Sequence, residues 1–498
     1  MRHAHPVEVV RAAERPLIEA ARAVGDPDAV MRRAAAGLAH HTAALVRERA
    51  GGLYGRSVLL VVGPGDNGGD ALYAGAALRG RGCRVDAVLL DSSRAHARGL
   101  AALRRAGGRT VTARAAVAGA RPDVAVDGVV GLGGSGALRE PAAGLVAALT
   151  GAGVPWVAVD LPSGVDADTG TAHREHVRAD VTVTFGVARR AHLLASQVCG
   201  RVEVVDIGLD APAPGPDSVS APGRPEVGRS WPAPGPGDDK YTQGVVAVRA
   251  GSERYPGAAV LTVSAAVAAT SGMVRYVGSG SGAVLSARPE VVCHTSVAEA
   301  GRAQAWVVGP GGGTDAAAVA EIRDVLATRR PTVLDADALT CVAEHPVLLR
   351  DVTGPVLLTP HGGEFDRLTG GWDRDDRAGA LRRYVAGLRD RGVDATVLLK
   401  GRVTLVDDGE STWAVDAGSS WAATAGSGDA LSGLAGALLA HGAGHATPTA
   451  WSAVSAAVAH GEAARSAALR AGGAGAPIGA SDLIAALPGA ISALRATV

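Results

Sequence analysis

The residues best suited to chemistry in this chain lie at Thr424-Ala425-Gly426-Ser427-Gly428-Asp429, a run of small residues that opens into the apolar stretch Leu434 to Ala440. Free backbone N–H groups at the start of such a helix carry the positive end of its dipole, so an anion is expected in front of Gly426 to Gly428. Asp429 belongs to the first turn and faces the same spot. A carboxylate beside bound phosphate can take the proton of a hydroxyl that attacks phosphorus. Alone, the pattern is more often an ordinary acidic helix start, and its meaning depends on what else reaches it.

Lysine usage supplies a second signal. The chain holds 49 Lys and Arg, yet its only lysines are Lys240 and Lys400. Keeping a compact ammonium at two places, in a protein that otherwise uses Arg, fits a point contact to phosphate. Lys400 opens Lys400-Gly401-Arg402-Val403-Thr404 after an apolar run, and Thr359-Pro360-His361-Gly362-Gly363-Glu364 follows another. Both would face the Gly428 anion hole. His361 by itself is more often a structural histidine, and only its loop gives it interest.

The first half carries three loops of a different kind. Ser57 to Gly63 is a continuous apolar run of the sort buried in parallel sheets, followed by Pro64-Gly65-Asp66-Asn67-Gly68-Gly69-Asp70 and a helix expected over Ala71 to Arg79. The loop offers backbone amides plus Asp66, Asn67 and Asp70, a mixture suited to phosphates, hydroxyls or a bound cation. A strand over Pro122 to Val130 leads into Gly131-Leu132-Gly133-Gly134-Ser135-Gly136, and Trp156 to Val159 leads into Asp160-Leu161-Pro162-Ser163-Gly164-Val165-Asp166. The second loop is a G-x-G-x-x-G with an acid at the distance of a ribose ligand, which read alone says dehydrogenase. Its place in mid-sheet, and the ligand-type loop that Asp160 itself opens, count against that reading.

These loops need two sheets to hold them. Helical spacing marks residues 1–50, broken at Gly25-Asp26-Pro27, and further strands are expected at Arg84 to Leu90 and, in the second half, at Gly244 to Ala250, Ala283 to Ala287, Ala305 to Gly309, Pro331 to Asp335, Pro355 to Thr359 and Ala395 to Lys400. Ala211 to Asp239 holds eight prolines without apolar periodicity and reads as an extended linker. The expected organisation is therefore α/β: two doubly wound domains, at 1–210 and 240–498, joined by 211–239. All three loops of the first domain would end at the carboxyl edge of one parallel sheet, where open α/β sheets bind ligands.

Composition narrows the function. The 498 residues are 47% apolar with zero formal net charge, so no basic field attracts nucleic acid or an anionic membrane, and small-molecule partners are expected. Cys83, Cys199, Cys293 and Cys341 are widely spaced, which argues against zinc and a disulfide framework and fits reduced thiols in the cytoplasm. No signal peptide is expected after Met1 to Pro6. Gly257 to Val274 is uncharged but mostly Ala, Gly, Ser and Thr, and reads as a buried helix and not a membrane span.

The three loops of the first half resemble the NAD(P)H-hydrate epimerase family, whose loops read G-N-N-G-G-D-G, D-x-x-x-G-x-G with L-R-E-P after it, and D-x-P-S-G. Here they stand as Gly65 to Ala71, Asp127 to Gly133 with Leu138-Arg139-Glu140-Pro141, and Asp160 to Gly164. Thr184-Phe185-Gly186 and Asp206-Ile207-Gly208 fit as well. The resemblance implies a Rossmann-like domain with a substrate loop at Asp66, Asn67, Gly68, Gly69 and Asp70 and at Gly131, Leu132, Gly133, Gly134, Ser135, Gly136 and Ala137. It implies an acid/base carboxylate at Asp160 and potassium ligands at Asn67, Asp127 and Ser163. An oxygen-rich Asn, Asp and Ser set suits a hard monovalent cation. Three positions depart: Asp66 replaces Asn, Ala71 replaces Gly, and the position near Arg189 is commonly Lys. A carboxylate at 66 would repel substrate phosphates.

The second half resembles the ADP/ATP-dependent NAD(P)H-hydrate dehydratase family, a branch of the ribokinase-like fold. The matching motifs are Lys240-Tyr241 with Gly244, Gly251-Ser252 with Tyr255 to Ala259, Gly309-Pro310-Gly311, Asp335 to Leu339, Pro360-His361 with Glu364-Phe365, Lys400-Gly401 with Thr404, and Ala425 to Asp429. Gly362 departs from the usual Pro. The resemblance implies hydrate binding at Ala258, Gly311, His361 and Asp429, with Asp429 catalytic. Nucleotide contacts fall on Lys400, Gly401, Arg402, Val403, Thr404 and Gly428. Taken together, the expectation is a bifunctional repair enzyme for hydrated NADH and NADPH that uses ADP, or ATP, with Mg2+, and K+ in the epimerase domain. A homo-oligomer is expected. Two other readings stay open: a small-alcohol kinase, since the same Asp and anion hole perform that transfer, and a first domain that binds without catalysing.

Overall fold

In the computed structural model, which describes residues 1–130, 136–350, 352–470 and 473–497, the chain divides into two compact units, His3–Val219 and Ser220–Val498 with Met1–Arg2. The first unit is built on a parallel sheet in which Arg109–Val111, Arg84–Leu89, Ser57–Val62, Val124–Gly128, Trp156–Val159, Val181–Phe185 and Arg201–Val205 lie side by side in that order. Its central strands are buried along their whole length, as a strand covered by helices on both faces must be. Alternation divides them between two cores. Val58, Leu60 and Val62 pack with Leu38 and Leu72, whereas Leu59 and Val61 pack with Leu145 and Leu149. Ser57–Val62 and Val124–Gly128 are neighbours although other strands separate them in sequence, so the strand order reverses there, and the loops after both strands border the resulting crevice.

Two details differ from expectation. The helix after the first glycine loop begins at Asp66 and runs to Gly80, so Asp66 to Asp70 form its first turn and not a free loop, with Gly65 extended in front of it. Arg2–His5 is a strand, pairing in parallel with Ala188–Arg189.

The second unit orders its strands Val292–His294, Met273–Val277, Val245–Arg249, Ala305–Val308, Thr332–Leu334, Val356–Leu358, Ala395–Leu399, Val403–Asp407 and Thr412–Asp416. Pairing is parallel up to Ala395–Leu399 and antiparallel beyond it. Helices Pro256–Ala269, Ser427–His445, Thr449–Arg470 and Ala480–Arg495 build a core dominated by Ala, Val and Leu. Small residues let these helices approach closely. A Cβ on Gly433 would lie 1.9 Å from the Thr262 carbonyl oxygen, so Gly433→Ala is expected to destabilise this unit by about 1–3 kcal/mol through overpacking, visible as a lowered melting temperature.

Ala283 to Ala287, expected as a strand, belongs to helix Ser281–Ala287. So short an apolar run has no periodicity to decide its type, and the sheet edge comes instead from Met273–Val277 and Val292–His294. The Pro-rich stretch is not uniformly extended either. It contains strand Val219–Ala221 and helix Arg224–Ser230, with Val227 and Trp231 buried and Trp231 Nε1 donating to the Ala269 carbonyl at 3.2 Å. Among the described residues no helix is long and apolar enough to cross a membrane.

Candidate active sites

In the second unit the chemistry gathers at the start of helix Ser427–His445. Gly426 precedes it with φ +80°, and a Cβ there would sit 2.4 Å from Leu261 Cδ1, so the turn needs glycine on both counts. The helix then presents Gly428 with its Cβ position 3.5 Å from Lys400 Nζ and 4.0 Å from Asp335 Oδ2. Lys400 directly follows strand Ala395–Leu399, and its ammonium lies 2.8 Å from Asp335 Oδ1 and 3.5 Å from Glu364 Oε2. Burial alone would lower the pKa of Lys400, but the two carboxylates outweigh it and raise it, so the ammonium stays charged.

Asp429 is half-buried, and desolvation together with the nearby Asp335 carboxylate pushes its carboxyl up to about 7, with Lys400 opposing and Asp337 adding to the rise. A carboxylate whose affinity for protons is matched to neutral pH is a competent general base. Behind the helix start, His460 lies with Nε2 2.9 Å from the Ser427 carbonyl, and burial lowers its pKa to about 4, so the neutral ring donates.

The turn Lys400-Gly401-Arg402 joins two antiparallel strands, and Val403 and Thr404 begin the second of them. The half-buried Arg377 grips this turn through the carbonyls of Val403 at 3.0 Å and Lys400 at 3.4 Å. Thr404 Oγ1 donates to the Gly401 carbonyl, and Arg402 pairs with Asp416. His361 caps helix Gly362–Thr369, its Nδ1 accepting from the N–H groups of Gly363 and Glu364, while Glu364 Oε2 accepts from His361 N at 2.7 Å. Glu364 therefore ties His361 to Lys400. Gly311, at φ +61°, leaves room for only 2.9 Å between a Cβ and Ala258 Cβ, so those two residues touch. Next to them Gly309 packs against the Asp335 carbonyl, where a Cβ would be 1.9 Å away. The structure thus brings Ala258, Gly311, His361, Lys400 to Thr404, Gly428 and Asp429 to one end of the sheet. Sequence reasoning gave no role to Asp335, Glu364, Ser432 or His460. Glu364 was findable as the third residue after a helix cap.

In the first unit Asp160 follows strand Trp156–Val159 in a left-handed conformation, φ +65°, rare for any residue but glycine. Its backbone is fixed from both sides: its N–H donates to Val183 O at 2.7 Å, and its carbonyl accepts from His192 Nε2 at 2.7 Å. His192 Nδ1 accepts from Arg189 N, and burial pushes this ring's pKa down to about 4, which leaves it neutral with its proton on Nε2. The Asp160 carboxylate receives Thr184 Oγ1 at 2.9 Å and Arg189 Nη2 at 3.2 Å. The same Nη2 reaches Glu14 on helix Val7–Ala23 at 3.0 Å, and Nη1 reaches Thr184 Oγ1 and the carbonyls of Phe185 and Val187. Lysine has one donor centre and could not serve all of these partners. Glu14 was invisible from sequence because nothing in its helix marks one acid above another.

Asn67 and Asp70 stand three apart on helix Asp66–Gly80, hence on one face. Asn67 Nδ2 donates to Val159 O at 2.7 Å and Val130 O at 3.1 Å. Asp70 is buried, its Oδ1 has no hydrogen-bond partner among the described residues, and desolvation with the charges of Asp160, Asp66 and Glu14 raises its pKa well above the ordinary range. Asp66 is exposed. Asp127 is fully buried and accepts from Ser163 Oγ at 2.7 Å, Ser163 N at 2.8 Å and Val129 N at 3.2 Å. Burial pushes its carboxyl up to about 6 against those hydrogen bonds. Gly68 and Gly69 lie in the same first turn, and Gly136 and Ala137 are exposed. Gly131, Leu132, Gly133, Gly134 and Ser135 lie outside the described residues.

Known proteins share both halves. Residues 246–486 match the family described as NAD(P)H-hydrate dehydratase, and residues 27–191 match the YjeF-related protein N-terminus. The bifunctional NAD(P)H-hydrate repair enzyme of Mycobacterium tuberculosis is 49% identical over 444 residues, covering 89% of this chain and 90% of the relative. That of Mycobacterium leprae is 48% identical over 499 residues, covering 99% and 100%. Among solved structures, an ADP/ATP-dependent NAD(P)H-hydrate dehydratase from Bacillus subtilis co-crystallised with ATP and Mg2+ aligns with TM-score 0.47 and 24% identity, over 55% of this chain and 99% of that one.

Proposed function

The chain belongs to the bifunctional NAD(P)H-hydrate repair enzymes, and from that premise we propose how its residues divide the work. The second unit dehydrates the S hydrate of NADH or NADPH at the expense of ADP. Asp429 takes the proton of the ring hydroxyl, whose oxygen attacks the terminal phosphorus of the nucleotide, and AMP leaves. The N–H groups at Gly426 to Gly428 and the Lys400 ammonium receive the charge on the transferred phosphoryl group. Phosphate then departs from the ring carbon, a neighbouring C–H proton is lost, and the nicotinamide double bond is restored. Ala258, Gly311 and His361 bind the hydrate, and Gly401 to Thr404 with Gly428 bind the nucleotide. The observation that carries this reading is the Lys400 ammonium 3.5 Å from the Gly428 Cβ position, at the head of the Asp429 helix. Purified S hydrate incubated with ADP or with ATP should recover NADH absorbance, faster with ADP, and recovery with neither would refute the dehydratase assignment.

Mg2+ supplies charge neutralisation on the nucleotide phosphates when bound. The site fits it as a companion of the nucleotide, since the buried Asp335 is already engaged by Lys400 and Ser432.

The first unit interconverts the R and S hydrates, with Asp160 moving protons at the hydrated carbon and Asp66 to Asp70 and Gly131 to Ala137 holding the substrate. Asn67, Asp127 and Ser163 fit a potassium ion: Asp127 is a buried carboxylate that receives only neutral donors, and no ion pair involves it among the described residues. K+ supplies a fixed positive charge there. Below about pH 6 a proton serves Asp127 instead, and above it the ionised carboxylate needs the cation. Replacing K+ by N-methylglucamine should therefore lower the melting temperature of this unit at pH 8 and leave it nearly unchanged at pH 5, and Asp127→Asn should abolish the difference. The enzyme is assigned to the cytoplasm, as a homo-oligomer whose size light scattering would measure.

A further inference from the structure

Asp335 belongs to neither the expected substrate set nor the nucleotide set, yet it is the most enclosed charged group at the dehydratase site. It lies at the end of strand Thr332–Leu334 with 1% of its surface exposed. One oxygen accepts from Lys400 Nζ at 2.8 Å, and the other accepts from Ser432 Oγ at 2.7 Å. That second oxygen is also 4.0 Å from the Cβ position of Gly428. Gly428 and Ser432 stand four apart on helix Ser427–His445, hence on one face, so Asp335 lies along the first turn, beside Asp429 and within the reach of its charge.

We propose that Asp335 is a positioning residue for the dehydration: it fixes the Lys400 ammonium at the helix start and sets its own negative charge beside the Asp429 carboxylate that takes the hydroxyl proton. This rests on Asp429 being the base. The charged or titratable groups around Asp429 are few. Asp335 and Asp337 come from one strand end and the helix after it, Lys400 from the next loop with Glu364 behind it, and His460 from helix Thr449–Arg470. His460 is neutral, its pKa lowered by burial to about 4. Desolvation is the largest cause of the raised Asp429 pKa and Asp335 the largest contribution from any single residue. Without Asp335 the sign is fixed: one negative charge is lost, Lys400 is less neutralised, and both changes make Asp429 more acidic.

The test is the pH profile of dehydration by the full-length protein, with S hydrate and saturating ADP. For Asp335→Asn the acid limb should move to lower pH by about one unit, and the plateau should fall about tenfold, because a weaker base is a poorer one and Lys400 is looser. An acid limb at the parental pH would overturn the proposal. Should Asp335→Asn fail to fold, Asp335→Ser, which is smaller and uncharged, gives the same test: a limb moved to lower pH supports the proposal, and an unmoved limb overturns it. Asp429→Asn keeps the two claims separate. If it stays active, the base assignment has failed; if it is inactive while the Asp335→Asn limb is unmoved, only the role of Asp335 has.

Discussion

Asp429→Asn is expected to slow dehydration of the S hydrate by about 10²–10⁴-fold, the usual contribution of a general base, while nucleotide affinity stays nearly constant. The amide keeps the size of the carboxylate and leaves Gly426 to Gly428 and Lys400 in place, but it cannot accept the hydroxyl proton. Burial first, and Asp335 second, raise the pKa of the native carboxyl to about 7. Its ionised form predominates above that pH, so the parental rate should climb as pH rises through about 7 and flatten beyond it. Single-turnover recovery of NADH absorbance gives the rate, and calorimetric titration with ADP gives the binding. Activity within about threefold of the parent would remove Asp429 from this role.

Asp160→Asn should leave consumption of S hydrate normal while R hydrate disappears only at its spontaneous epimerisation rate. Mixed hydrates would then decay in a fast phase and a slow one, where the parent shows a single fast decay. The substitution is a fair test because asparagine tolerates the left-handed backbone of Asp160 better than most residues do, so the turn should survive and only proton transfer should be lost. A variant that matches a monophasic parent would make Asp160 a structural acid. A parent that is itself biphasic would mean that the first unit binds hydrate without converting it.

Much of this architecture could be read from residue patterns. The unbroken apolar runs at Ser57–Val62, Val124–Gly128 and Trp156–Val159 announced strands buried on both faces, and the glycine clusters after them announced where those strands end. The confinement of lysine to Lys240 and Lys400 drew attention to the ammonium that now faces Gly428. What stayed hidden depends on contacts across long stretches of sequence. Glu14 matters because Arg189 lies 175 positions away and 3.0 Å distant, and no local pattern encodes such a pairing. Asp335 was quoted within a motif, yet its engagement by Lys400 and Ser432 exists only once strand ends and a helix converge. Ala283 to Ala287 failed for a simpler reason: five small or apolar residues suit a short helix as well as a strand.

The reach of Arg189 bears on how this protein could be shortened. One guanidinium ties helix Val7–Ala23 to the Asp160 carboxylate, so a chain trimmed to begin after Gly25 would retain every residue of the three glycine-bearing loops and still lose the acid that balances that cation. The remaining charge would then be shared between Arg189 and Asp160 alone, and the Asp160 carboxylate would be drawn into a closed ion pair. The opening helix thus takes part in setting the charge around Asp160.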